Sequence, residues 1–170
     1  GPGQAIIVIG QGSDRDDGWL GVSLYARNLA GNPHAAPPPV DLDAERRNGL
    51  FIQGQIASGV ITAAHDIGDG GLAVAIAEMC MAGPVGAHID LPSGGSRHGW
   101  AFGEDQARYV VMTDDAAALL AAARDADVPA AAIGSTRDGG ELQFGDETAI
   151  SVKDLHALVE ATIPNLMQGG

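Results

Sequence analysis

Three glycines in positions 68–71, set between the apolar run 60–65 (VITAAH) and the apolar run 71–82 (GLAVAIAEMCMA), constrain this chain more than any other feature. The first run has the composition of a strand, and the second has the length and residue types of a helix buried on most sides. A strand must therefore pass into a helix within a few residues. Glycine permits this because it accepts positive φ and lets other backbone come close. A helix launched in this way packs back on the sheet it left, so the feature selects a layered structure of helices and strands.

The same loop is the best candidate for chemistry. The first free amides of a helix beginning near Gly71 carry partial positive charge and are suited to a phosphate. Asp66 and Asp69 add carboxylates that fit a ribose hydroxyl or a magnesium ion. The expected ligand-facing set is His65, Asp66, Gly68, Asp69, Gly70 and Gly71. A plainer reading of these residues stands beside it: Asp69 caps the helix, the glycines make a tight turn, and His65 is a hydrogen-bonded structural histidine.

Elsewhere short strands and helices alternate. Residues 5–10 (AIIVIG), β-branched and bounded by glycine, predict a buried strand. A polar loop over 11–17 leads to 19–29, where Trp19, Leu20, Val22, Leu24, Tyr25 and Leu29 are spaced to hug a core. Pro33, Pro37, Pro38 and Pro39 make 31–39 an extended connector, because each removes an amide donor and fixes φ. An amphipathic helix is predicted over 41–58, capped by Asp41 or Asp43, with Leu42, Leu50, Phe51 and Ile56 as core contacts and Gly59 at its end. Further strands are predicted over 60–65, 85–91, 109–112, 130–135, 141–144 and 148–151. Further helices are predicted over 71–82, 114–126 and 152–161, the last with Ser151 as N-cap and Asp154 in its first turn. Asp114 and Asp115 are expected to cap the helix they precede. The Gly/Ser-rich 92–101 is expected to be flexible, with Trp100 and Phe102 packing over it or facing a neighbouring domain. Glu104 and Arg108, four apart, are expected to form an internal salt bridge.

At 170 residues and 45% hydrophobic, the chain is sized for one domain, with 1–4 as linker and 5–167 as the folded unit. Nine Lys and Arg against 22 Asp and Glu give a net charge of −13, which argues against a nucleic-acid partner. The lone Cys80 excludes an internal disulfide and a thiolate metal site, and its apolar neighbours predict a buried structural thiol. No apolar run reaches the roughly 18 residues of a membrane span, and no membrane partner is expected. His34, His88, His98 and His156 have no metal-ligand spacing. A cytoplasmic protein is expected.

The string over 64–79, AHDIGDGGLAVAIAEM, resembles the AHDxSDGGLAVALAEM segment of the large subunit of the phosphoribosylformylglycinamidine synthases, with Gly68 where that family usually has Ser. Further segments are similar and in the same order: APPPVDLDAERR over 36–47, GEDQARYVV over 103–111, AAIGST over 131–136 and ISVKDLHALVEATIPNLM over 150–167. The turn Gly18-Trp19-Leu20-Gly21 with Ser23 resembles the family's Leu-Gly-x-Ser element. Nearly the whole chain is covered.

The resemblance implies the last domain of a longer chain, with the α+β fold of the C-terminal domains of the aminoimidazole ribonucleotide synthetase superfamily: a mixed β-sheet with helices packed on its faces. It implies a part in the conversion of formylglycinamide ribonucleotide, ATP and glutamine-derived ammonia to formylglycinamidine ribonucleotide in purine biosynthesis. The family's catalytic histidines, ATP-contacting lysine and main magnesium carboxylates lie upstream of the matching region. No catalytic residue is therefore expected here, ATP and Mg2+ belong to the full-length enzyme, and the domain alone is expected to be inactive. The implied partners are the upstream domains of the same chain, a separate glutaminase subunit and a small accessory subunit. An ending just past Met167 with no glutaminase sequence fits that arrangement. Two other readings stay open: another ATP-dependent enzyme of the same superfamily, and a stand-alone module binding a small ligand.

Overall fold

The structure, a computed structural model, describes residues 1–12, 19–31 and 36–168. The predicted loop at 11–17, the start of the Gly18–Ser23 element and His34 in the connector fall wholly or partly outside them. The described residues form a seven-stranded sheet: β1 (Ala5–Ile9), β2 (Ala63–Asp66), β3 (Gly86–Ile89), β4 (Tyr109–Thr113), β5 (Ala130–Arg137), β6 (Glu141–Phe144) and β7 (Ile150–Ser151). Their spatial order is β2-β4-β1-β5-β3-β6-β7. Every neighbouring pair is antiparallel except β3 and β6, so the sheet is mixed, as expected. Helices α1 (Leu42–Ala57) and α4 (Ala116–Asp125) lie on one face, α2 (Gly71–Ala82) and α5 (Val152–Gln168) on the other; α3 (Arg97–Phe102) packs against α2.

The continuous apolar reading of β1 follows from this sandwiching. Ile6 and Val8 pack with Leu72, Ile76 and Met79 of α2, while Ile7 and Ile9 pack with Ile52 of α1 and with Leu119 and Ala123 of α4. β4 runs beside it in the register Ile7↔Val111 and Val8↔Val110 and divides its side chains in the same way. A strand alternates its faces, so a strand covered on both must be apolar throughout.

Several elements depart from expectation for identifiable reasons. In α1 the sheet-facing residues are Asn48 and Ile52, with Phe51 beside them, whereas Leu42, Leu50 and Ile56 are 73%, 56% and 49% exposed. Two polar anchors fix the helix's rotation: Asn48 Nδ2 donates to the Ala107 carbonyl at 2.9 Å, and Glu45 accepts from Tyr109 Oη. Asp41 is the N-cap, accepting from the amides of Asp43 and Ala44. β2 begins at Ala63 because the amides of Val60 and Ile61 turn back to the Gln55 carbonyl and close α1. In 19–29 only Ser23 and Ala26 are buried, within two short helical turns, and Leu29 is exposed.

The Gly/Ser-rich 92–101 is not simply a loop. It leads into α3, where Ser96 Oγ caps the Gly99 amide, Trp100 packs on the α2-side core, and Phe102 stacks on Tyr25 with ring centroids 5.0 Å apart. α5 runs past the predicted 161, through an exposed Pro164, to Gln168. Ser151 Oγ accepts from the Asp154 amide, and Asp115 caps α4 by accepting from the Ala118 amide. Asp114 instead accepts from Gln4 Nε2. Among the described residues no helix is long and apolar enough to cross a membrane.

Burial sets the energetics. Ile76 has no exposed surface, and Ile76→Ala is expected to cost about 2–5 kcal/mol in urea unfolding of this chain, whereas Leu158→Ala, at a position 69% exposed, should stay within about 0.5 kcal/mol. Gly71 has φ +73°, and a Cβ there would lie 2.7 Å from the Phe102 backbone. Gly71→Ala is therefore expected to cost more than about 1 kcal/mol in the same assay. Burial pushes the Cys80 thiol up to about 11, so it should react with a thiol reagent at pH 8 only after denaturant is added.

Candidate functional site

The glycine loop joins β2 to α2 at the end of the sheet where β1 stops and β4 starts. Ile67, 5% exposed, anchors it, with its amide donating to the Arg108 carbonyl at 2.9 Å. Asp66, Gly68 and Asp69 stand exposed around this anchor, while Gly70 and Gly71 are buried. Gly70 has φ +85°, and a Cβ there would lie 2.6 Å from Val74. With Gly71 pressed against α3, both glycines are required by the joint itself. Gly68 is different: its φ is not positive, and an added Cβ would meet only Asp66 Oδ2, at 3.6 Å.

The start of α2 is closed by a side chain from another part of the chain. Glu104 Oε1 accepts from the Gly70 amide at 2.9 Å and from the Leu24 amide at 2.8 Å. The Gly71 amide donates to the Gly68 carbonyl, and Leu72 has no exposed surface. Asp69 does not cap the helix; the N-cap is Gly70, with no side-chain bond of its own. The charge that settles this helix N-terminus is thus an internal carboxylate rather than an open site at Gly70 and Gly71.

The expected Glu104–Arg108 ion pair does not form. Arg108 bonds Asp105 at 2.8 Å, both side chains being less than a tenth exposed. Burial pulls the Arg108 guanidinium below its ordinary value, and Asp105 opposes that shift. The intervening backbone is the reason: Ala107 is left-handed at φ +59°, its carbonyl is held by Asn48, and a Cβ on Gly10 would lie 2.3 Å from that carbonyl. This turn sends Glu104 toward α2 and Arg108 inward. Trp19, at φ +55°, is also left-handed. It opens the turn where Ser23 Oγ donates to the Leu20 carbonyl and accepts from the Ala26 amide, next to the Leu24 held by Glu104. Such strained positions gather where function or tight packing over-determines the backbone.

The remaining loop residues divide by face. His65 points to the α2 side, with Nε2 3.2 Å from Glu78 and Nδ1 2.6 Å from the Asp66 carbonyl. Asp66 faces the α1 side beside Tyr109, whose phenol is pushed up to about 12, first by burial and then by its bond to Glu45. A cavity of about 330 Å³ lined by His65, Asp66, Tyr109, Gly49 and Gln53 adjoins this face. Larger cavities of about 760 and 660 Å³ flank α2 and α5, and neither is lined by residues 68–71. Among the described residues no three His, Cys, Asp or Glu side chains gather as a metal site. Sequence reasoning missed Glu104 as an amide acceptor and Asn48 as a buried anchor. The only signal was a polar residue on a helix face, legible once the helix's rotation is known.

This arrangement has known relatives. Residues 1–147 match the family model described as AIR synthase related protein, C-terminal domain. The phosphoribosylformylglycinamidine synthase subunit PurL of Methylocella silvestris is 50% identical over 167 residues, 97% of this chain and 22% of that protein. PurL of Rhodopseudomonas palustris is 46% identical over 170 residues, 98% of this chain and 22% of its own length. The chain thus spans under a quarter of these relatives. Among solved structures, T. maritima PurL complexed with FGAR superposes with a TM-score of 0.74 at 23% identity, covering 92% of this chain and 28% of that one. T. maritima PurL complexed with ATP gives 0.67 at 20% identity, covering 92% and 26%. PurLQS from the same organism gives 0.69 at 19% identity, covering 90% and 26%. At such identities these structures establish the fold. With the family model spanning 1–147, the chain belongs to the AIR synthase related protein family, as a C-terminal domain of that family.

Proposed function

We propose that this chain works as the closing domain of a phosphoribosylformylglycinamidine synthase large subunit, where it shapes one wall of a ligand cleft and supplies no catalytic group. The observation that carries this reading is the 50% identity to a PurL protein over 97% of the chain. In the proposed reaction ATP phosphorylates the amide oxygen of formylglycinamide ribonucleotide. Ammonia then displaces that phosphate, leaving the amidine, ADP and inorganic phosphate. Such transfers depend on positioning and charge stabilisation. On this reading the ligand-facing part of the expected set is Asp66, Gly68 and Asp69, whose exposure supports it, while His65, Gly70 and Gly71 shape the loop from behind.

ATP is a ligand of the full-length enzyme. Mg2+ is assigned to the full-length enzyme too; among the described residues no three His, Cys, Asp or Glu side chains gather as a metal site, and no step is derived through one. The upstream domains of the same polypeptide, a separate glutaminase subunit and a small accessory subunit are the proposed partners, in the cytoplasm.

The test is steady-state kinetics on the full-length polypeptide. It should form ADP and phosphate only when formylglycinamide ribonucleotide and ammonia are both supplied, and the 170-residue chain alone should show no turnover. Gly68→Ser should be near neutral, since the position has room for a side chain. Gly68→Val should raise the KM for the ribonucleotide or ATP about tenfold, the cost of one lost polar contact, at unchanged melting temperature. If KM for both substrates is unchanged by the valine, the loop does not face a ligand.

A further inference from the structure

One carboxylate oxygen, Glu104 Oε1, is shared by two distant backbone amides. We infer that Glu104 is the positioning residue of the glycine loop: its Oε1, by holding the amides of Gly70 and Leu24, fixes the exposed Asp66–Gly68–Asp69 surface in its ligand-ready position. The inference rests on the proposed ligand-facing role of that surface and adds to it the residue that sets its geometry.

Three separate stretches of chain meet at this oxygen. Leu24 follows the buried turn at Ser23, Gly70 is the last residue before α2, and Glu104 lies between α3 and β4. Neither amide has another acceptor in the described hydrogen bonds, and Gly70 is buried, so losing Glu104 would leave a buried donor at the start of α2 unpaired. Bonds to an ionised acceptor are roughly twice as strong as neutral ones, and here one acceptor serves two donors. Gly70 and Gly71 are both left-handed, so the helical conformation does not extend into the loop, whose one local backbone bond among the described ones runs from the Gly71 amide to the Gly68 carbonyl. Its position depends on the long-range tether, with Ile67 as the only other buried anchor among 66–69.

What matters is reach rather than charge alone, and this gives a discriminating set of variants in the full-length enzyme. Glu104→Gln keeps a carbonyl oxygen at the same distance. Glu104→Asp keeps the charge but draws it back by one methylene, about 1.5 Å by the length of a carbon–carbon bond, and Glu104→Ala removes it. For ribonucleotide and ATP, KM should stay within about threefold of the parent for Glu104→Gln. It should rise about tenfold or more for Glu104→Asp and Glu104→Ala, with kcat changed much less. Melting temperatures are measured alongside. Should Glu104→Ala prove unstable, the ranking of the Gln and Asp variants still decides.

A reversed ranking, with Glu104→Asp like the parent and Glu104→Gln like the alanine variant, would mean that the charge acts on a ligand directly and would overturn the inference. Equal KM in all variants, or losses in melting temperature with KM unmoved, would overturn it too by making Glu104 a purely structural cap. Gly68→Val separates this from the underlying reading. A valine effect without a Glu104 effect removes only the tether, whereas no effect of the valine removes the ligand-facing loop itself.

Discussion

The pairing of β1 with β4, buried on both faces, is the constraint on which the rest of the domain depends. Ile6, Ile7, Ile9, Val110 and Val111 have no exposed surface, so every backbone polar group of this pair has to be satisfied within the sheet. That requirement forces β5 and β2 against the pair's outer sides and helices onto both faces. It also means that polar chemistry can collect only where these strands end. The glycine loop, Glu104, Arg108 and Asn48 are found there.

At that end the fold solves one problem repeatedly: a buried donor or acceptor is matched by a side chain. Glu104 accepts from the Gly70 amide and Asn48 donates to the Ala107 carbonyl, both from far along the chain, while Asp105 accepts from the Arg108 guanidinium three residues on. The three are linked through the left-handed turn at Ala107, which decides where Glu104 and Arg108 point. Satisfying such groups is worth less than the cost of leaving any one unmade, so the joint is held by penalties against rearrangement.

How much of this was legible in the sequence varied with the range of the interaction. The limits of α2 and the existence of β1, β4, β5 and β6 follow from periodicity and glycine punctuation, which are local signals. The rotation of α1 was misread because Leu42, Leu50 and Ile56 are apolar but Asn48 and Glu45 carry the anchoring bonds, and a polar anchor has no signature in a hydropathy pattern. α3 was hidden because its six residues, RHGWAF, form a helix through the Ser96 cap and the contacts of Trp100 and Phe102 rather than through propensity. The Glu104–Arg108 pair was expected from the closeness of the two residues before a strand, but the left-handed turn at Ala107 sends their side chains apart. The candidate site was found as a motif, yet its division into exposed and buried halves depends on contacts made across 34 residues or more.

That division changes what the motif's glycines mean. A glycine-rich strand-to-helix turn suggests a phosphate at open amides, yet here the amide of Gly70 is already held by a carboxylate and that of Gly71 by the Gly68 carbonyl. A second anion at the same place would have to displace Glu104 against like charge. In a chain of net charge −13, filling a helix N-terminus from within also removes an acidic group from an already acidic surface. The surface the loop leaves open is its outer side, at Asp66, Gly68 and Asp69, and the loop is bonded down from behind. On the proposed function, the domain contributes geometry rather than a catalytic group, which in a reaction driven by positioning is a chemical contribution.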